Sequence, residues 1–278
     1  MVLQHENYCE VGSMTKYALG VEYDGSAYAG WQRQSHSPSV QEQLESALSK
    51  VADQPIVVTA AGRTDAGVHA WQQCVHFETS QQREVKAWVL GVNAHLPQDI
   101  SVRHATPVSN DFHARYSTLG RSYRYVILNR SARSALLHKR VAVIHQLLDE
   151  KLMHKAAQCL VGEHDFTSFR AAGCQAKHAV REVTSINVSR HNQHIVVEVE
   201  GNAFLHNMVR IIVGSLVKVG YEEQPVEWIA SLLAARDRTC AGVTAVPCGL
   251  YFMGPHYDSE FAIPHWRDSL PAVATVPL

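Results

Sequence analysis

The sequence is poor in the features that mark metal, redox and membrane proteins. Six cysteines (positions 9, 74, 159, 174, 240 and 248) include no CxxC pair, which removes the zinc-ribbon and thioredoxin readings and leaves reduced, mostly buried thiols. Seventeen histidines are many, yet they form neither an HExxH pattern nor a tight His/Asp cluster, so no metal site is expected. The strongest apolar run, Ile211-Ile212-Val213, falls far short of the ~20 residues that cross a bilayer, so no membrane span is expected. The N-terminus has acidic residues and no basic stretch leading into an apolar one. It does not read as a secretory signal, and a cytoplasmic location follows as the expectation.

An excess of charge is also missing: 25 basic residues face 26 acidic ones, so the total does not announce a nucleic-acid binder. The distribution says more. Between positions 112 and 148 there is no Asp or Glu, while Arg115, Arg121, Arg124, Arg130, Arg133, Lys139 and Arg140 fall inside. Such a run is either a solvated face or a positive strip for phosphates, with Tyr116, Tyr123 and Tyr125 interleaved as stacking surfaces.

What is present is globular. At 278 residues, 46% hydrophobic and 18% charged, the chain is long enough for two ordinary domains. Residues 1–14 read as a loose, disordered leader, with Met14 as a candidate start. Period-2 alternation over 17–23, closed by Asp24-Gly25-Ser26, predicts a strand; Ser39 with Glu42 three residues on predicts a capped helix with Val40, Leu44, Ala47, Leu48 and Val51 on one face. Strands over 55–60 and 73–78, a helix over 85–94 and a strand over 100–105 complete an order β, α, β, β, α, β, that of a ferredoxin-like unit. A second half follows: a strand over 122–128, a helix from Asp149 closed by Gly162, strands over 185–190 and 194–200 turning at His191-Asn192, helices over 205–219 and 225–235, and a strand over 249–253. The fold class is α+β: two ferredoxin-like, RNA-recognition-like halves with mixed or antiparallel sheets, over 15–117 and 118–278, and a cleft between them as the place for a site.

Asp65 follows a strand in a loop with glycines at 62 and 67, which lets the backbone turn and the carboxylate project. An aspartate there is also an ordinary turn former or cap. No Gly-Lys-Ser/Thr follows the glycines, so a phosphate loop is set aside. Tyr123 alternates with Tyr125 and Ile127 and would face the core as readily as a ligand, and Arg210 in an apolar helix would ordinarily snorkel or cap.

The stretch Gly62-Arg63-Thr64-Asp65-Ala66-Gly67-Val68-His69-Ala70 resembles the signature of TruA-type tRNA pseudouridine synthases. Similar segments occur in the same order: 22–34 (from Glu22-Tyr23-Asp24-Gly25 to Gln34), Phe112-His113-Ala114-Arg115, Arg121-Ser122-Tyr123-Arg124-Tyr125, 165–170, 202–210 (Asn202 to Arg210) and Pro247-Cys248-Gly249-Leu250-Tyr251. They span about residues 15 to 255. The resemblance implies isomerisation of uridine to pseudouridine at positions 38, 39 or 40 of the tRNA anticodon arm, with no metal or organic cofactor, by a homodimer. It implies Asp65 as nucleophile, Tyr123 stacked on the uracil and assisting proton removal from C5, Arg210 paired with Asp65, and Arg63 flipping the nucleotide and holding RNA.

The residue types suit that chemistry. Detaching uracil from C1′, rotating it and rejoining it through C5 needs a carboxylate to form or stabilise an intermediate, an arginine to favour its ionised form, and a π-surface for the unstacked base. Arg115, Arg121, Arg124 and Arg170 are the candidates for phosphate contacts, which position RNA without specifying it. Two rivals remain: a non-catalytic tRNA-binding module of the same fold, and a glycoside hydrolase using Asp65. The second lacks a partner carboxylate in the motif to act as general acid.

Overall fold

The computed structural model describes residues 14–269, so the leader expected over 1–14 lies outside the described residues except for Met14. The first alternation becomes β1 (Thr15–Tyr23), a strand covered on both faces: Tyr17, Leu19, Val21 and Tyr23 enter one core, and Ala18 meets Cys74, Phe112 and Ala114 on the other side. Helix α1 (Val40–Ala52) starts as the capping pattern predicts, with the Glu42 backbone N–H donating to Ser39 Oγ at 3.4 Å and Val40, Leu44, Ala47 and Leu48 buried.

The strand expected over 55–60 shrinks to β2 (Thr59–Ala60). The cause lies in α1, whose side chains take the amides a ladder would use: Ile56 N–H donates to Ser49 Oγ at 2.9 Å and Val58 N–H to Glu45 Oε1 at 3.0 Å. Next come β3 (His69–Thr79), a helical segment with a π turn at Ala87–Gly91, and β4 (Ile100–Val108). The π turn carries the fully buried Trp88, whose ring lies 5.4 Å from Tyr17 and 5.1 Å from Phe77.

The second half opens with β5 (Gly120–Asn129) and the short β6 (Ala142–Ile144). Asp149 caps α2 (Glu150–Ala157) by accepting from the N–H groups of Lys151 and Leu152 at 2.8 and 3.0 Å. That helix ends earlier than Gly162, which instead begins a strand absent from the sequence reading, β7 (Gly162–Asp165). The hairpin of β8 (Val180–His191) and β9 (His194–Gly201) turns through Asn192 at φ 55°. Helices α3 (Met208–Gly220) and α4 (Trp228–Ala235) precede β10 (Leu250–His256).

All these strands belong to one mixed sheet in the order β4-β1-β3-β10-β5-β9-β8-β7, with β2 on β3 and β6 on β5. The two expected halves therefore share a sheet. Strand β10 joins them, antiparallel to β5 through Leu250↔Tyr125 and Phe252↔Tyr123 and parallel to β3 through Tyr251↔His69 and Phe252↔Ala70. One core lies around Leu19, Leu44, Leu48, Phe77 and Trp88; another lies around Ile127, Phe166, Val197, Ile212 and Leu216. Tyr123 packs against both.

Candidate active site

The loop between β2 and β3 carries Asp65, and it is held from behind by the segment after β1. Trp31 N–H donates to Thr64 O at 3.0 Å, Gly67 N–H to Tyr28 O at 3.4 Å, and the hydroxyls of Tyr23 and Thr64 bond at 2.7 Å. Gly30, at φ +105°, lies so close that an added Cβ would stand 2.7 Å from Thr64 O. The two glycines flanking Asp65 differ: Gly67 takes the left-handed region at φ +76°, while Gly62 does not. With its backbone fixed this way, the Asp65 side chain keeps 35% exposure and points into a cavity of about 490 Å³.

The opposite wall is the start of α3. Asn207 precedes it at φ 60°, and the first turn brings Arg210 back over the cavity. Arg210 donates from Nε to Ala245 O at 2.7 Å and from Nη1 to Asn207 Oδ1 at 2.8 Å and Asp65 Oδ2 at 3.5 Å. His206, four residues earlier, places Nε2 3.3 Å from Asp65 Oδ1. Each carboxylate oxygen thus has its own nitrogen partner, and the positive end of a 13-residue helix lies on the same side.

Tyr123, on β5, is not among the residues that line the cavity. Its ring is wedged between Phe204, edge-on at 5.0 Å, and Phe252 at 5.1 Å. Burial pushes its phenol up to about 12, with Arg121 opposing the shift and Asp65 adding to it, so the hydroxyl senses the carboxylate.

A family model described as tRNA pseudouridine synthase matches residues 20–117 and 156–258. The protein named tRNA pseudouridine synthase A of Escherichia fergusonii is 57% identical over 249 residues, which is 90% of this chain and 92% of that one. Its namesake in Escherichia coli O1:K1 is 56% identical over the same shares. The chain belongs to the tRNA pseudouridine synthase family. Among solved structures, a Cbf5-Nop10-Gar1 complex overlays 72% of the chain and 45% of its own at 12% identity, but with a TM-score of only 0.33 it carries no argument.

For a member of this family, the structure divides the arginines expected to touch RNA. Arg63 is exposed at the cavity mouth, and Arg115 is exposed with its guanidinium 5.6 Å from the Tyr116 ring. Arg121 acts as a clasp: Nη1 donates to Asn202 O at 2.9 Å, and Nη2 to Ala61 O at 3.0 Å and Thr118 Oγ1 at 3.2 Å. It thereby ties the start of the Asp65 loop to the segment leading into α3. Arg170 spends one arm on Cys174 O and Ala176 O at 2.8 and 2.7 Å. Arg124 departs most from the expectation. Strand alternation sends it away from Tyr123, and its side chain, 7% exposed, is paired with Glu198 at 2.8 Å.

Of the polar residues lining the cavity, His206 and Asn207, with Gln32 and Gln34, were not singled out from the sequence; the first two stand against Asp65 and Arg210. Their signal was membership in the family-like segment 202–210, since α3 begins only at Met208 and helical spacing from Arg210 does not place His206. Three other residues of the family-like segments serve the framework. Buried His69 meets Asp24 at 3.1 Å and Cys248 O at 3.2 Å, tying the ends of three segments together. Among the described residues no group of His, Cys, Asp or Glu could hold a metal ion, and no helix is long and apolar enough to cross a membrane.

Proposed function

We propose that this chain, a tRNA pseudouridine synthase and hence an isomerase, converts uridine to pseudouridine at positions 38, 39 or 40 of the anticodon stem-loop, with Asp65 as the nucleophile. The observation that carries this reading is the carboxylate of Asp65, projecting into a cavity and held at both oxygens from the facing wall. The bond from N1 to C1′ breaks, the uracil turns, and C5 joins C1′. No atom is gained or lost, so the reaction calls for no co-substrate.

Arg210 orients Asp65 and keeps a positive charge beside it. Tyr123 offers its ring to the freed base; its phenol, at about 12, keeps its proton at neutral pH, so removal of the C5 proton requires a second group to relieve it. Arg63 and Arg115 are the best-placed phosphate contacts, and Arg121 and Arg170 contribute chiefly by shaping the loops beside them. We further infer that the segments 15–117 and 118–278 act as two ferredoxin-like halves around the cleft, that two copies together hold one tRNA, and that the reaction takes place in the cytoplasm with the tRNA pool.

The test is release of tritium from tRNA labelled at C5 of uridine. Wild type releases label; Asp65→Asn is expected to release none above background while binding tRNA within about tenfold of wild type, because the side chain acts on the bond and not on binding. Turnover by Asp65→Asn would sink the assignment. Tight binding by wild type without release would favour a binding-only module.

A further inference from the structure

The isomerisation moves a hydrogen as well as a bond. Once C5 has joined C1′, the C5–H bond must break and an N1–H bond must form. One proton leaves and one arrives, with no change in oxidation state. In the route in which Asp65 attacks C1′, formation of the C5–C1′ bond releases Asp65 as a free carboxylate. Arg63 and Arg210 on the cavity wall are donors only. Tyr123 holds its own proton at neutral pH. The titratable side chain left on the described wall is His206, whose Nε2 stands 3.3 Å from Asp65 Oδ1 and whose side chain is 45% exposed.

We infer that His206 carries the proton between Asp65 and solvent in this closing step, an inference that rests on the pseudouridine reading of the site. The C5–H bond breaks with its electron pair returning to the ring, and Oδ1 of Asp65 takes the proton. The Nε2 lone pair takes it from Oδ1, and the imidazole passes it to water. N1 gains its proton from the solvent by the reverse path, so hydrogen from C5 ends in water. Imidazole suits this because it is the side chain that ordinarily changes charge between pH 5 and 8.

The position is built, not incidental. His206 O accepts from Ala171 N–H at 3.1 Å, and its N–H faces the Cys174 thiol, so the 170–176 loop fixes its backbone just ahead of α3. The charged and titratable groups around it are Asp65 on the facing loop, Arg210 on α3, Arg63 on the cavity wall, and Cys174 with Arg170 behind it.

The experiment compares full-length wild type, His206→Gln, His206→Ala and Asp65→Asn in single-turnover release of C5 tritium from tRNA, from pH 5.5 to 8.5. Gln retains an N–H toward Oδ1 but cannot titrate. Both His206 variants are expected to bind tRNA within about threefold of wild type and to lose on the order of 10²-fold in rate. They should also lose the acid limb of the wild-type pH profile, and imidazole in the buffer should restore rate to His206→Ala. A wild-type rate and profile in His206→Gln overturns the inference and leaves the proposed function standing. Slow variants that keep the wild-type profile and ignore imidazole overturn it too, leaving His206 a holder of Asp65. An active Asp65→Asn would instead remove the nucleophile reading itself.

Discussion

Arg210 makes three bonds at once, and only one of them reaches Asp65. The others anchor its guanidinium on Ala245 and Asn207, so the contact at 3.5 Å is aimed by two shorter ones at 2.7 and 2.8 Å. A lysine would keep the charge but not the fork. Arg210→Lys is therefore expected to lower the single-turnover rate by about 10²-fold, with tRNA affinity within about threefold, read from rate and filter-binding measurements on the same preparation. At Tyr123 the ring and the hydroxyl can be separated. Tyr123→Phe should keep the packing against Phe204 and Phe252 and unfold at nearly the same urea concentration as wild type. Tyr123→Ala should cost about 3–5 kcal/mol of stability, because the ring is shared by two cores. At this scale Asp65 shows what sequence can and cannot carry. Its loop alone fits a turn-forming aspartate equally well, and only the family-like segments single it out. His206 also lies in such a segment, 202–210, but its value depends on a spatial neighbour 141 positions away in the chain, Asp65, which the segment does not name.

The helices of this chain were legible because their signals are local. Ser39 and Asp149 cap where the sequence says they should, and the apolar period places α1 and α2 against their cores. The strand expected over 55–60 failed for a nonlocal reason: Ser49 and Glu45 on α1 capture the amides of Ile56 and Val58. β7, four residues long and mostly polar, offers no period to read. The segment after β1 shows how an element with no chemistry of its own governs the site. Gly30→Ala would force a methyl against Thr64 O in a left-handed backbone. The expected cost is about 1–3 kcal/mol in urea unfolding, with turnover falling further than tRNA affinity, since the displaced group is the Asp65 loop.

Across the whole molecule, burial sets the response to acid. It holds His76 and His104 at about 4 when folded, against an ordinary 6.5. The unfolded chain therefore takes up protons first as pH falls, so the stability these residues lend is complete above pH 6.5 and drains away toward pH 4. The urea midpoint should drop over that window, and His104→Phe, which keeps a ring over Gly20, should flatten the drop. RNA binding should weaken steeply with salt through Arg63 and Arg115; a flat response would count against a phosphate strip. The shared sheet was beyond the sequence, because nothing in the run of residues over 249–253 says that its neighbours are β3 and β5. That arrangement has a consequence for how the protein is made. A ribosome delivers β3 and β5 long before β10, and at ordinary synthesis rates the gap after β3 lasts on the order of ten seconds. Through that interval the start of β3, at His69 and Ala70, and the first half of β5, over 120–125, lack the partner that β10 supplies, leaving edges other chains can pair with. Nascent chains arrested before Leu250 should accordingly be cut by protease within β3 and β5, while a few residues more should silence both sites together.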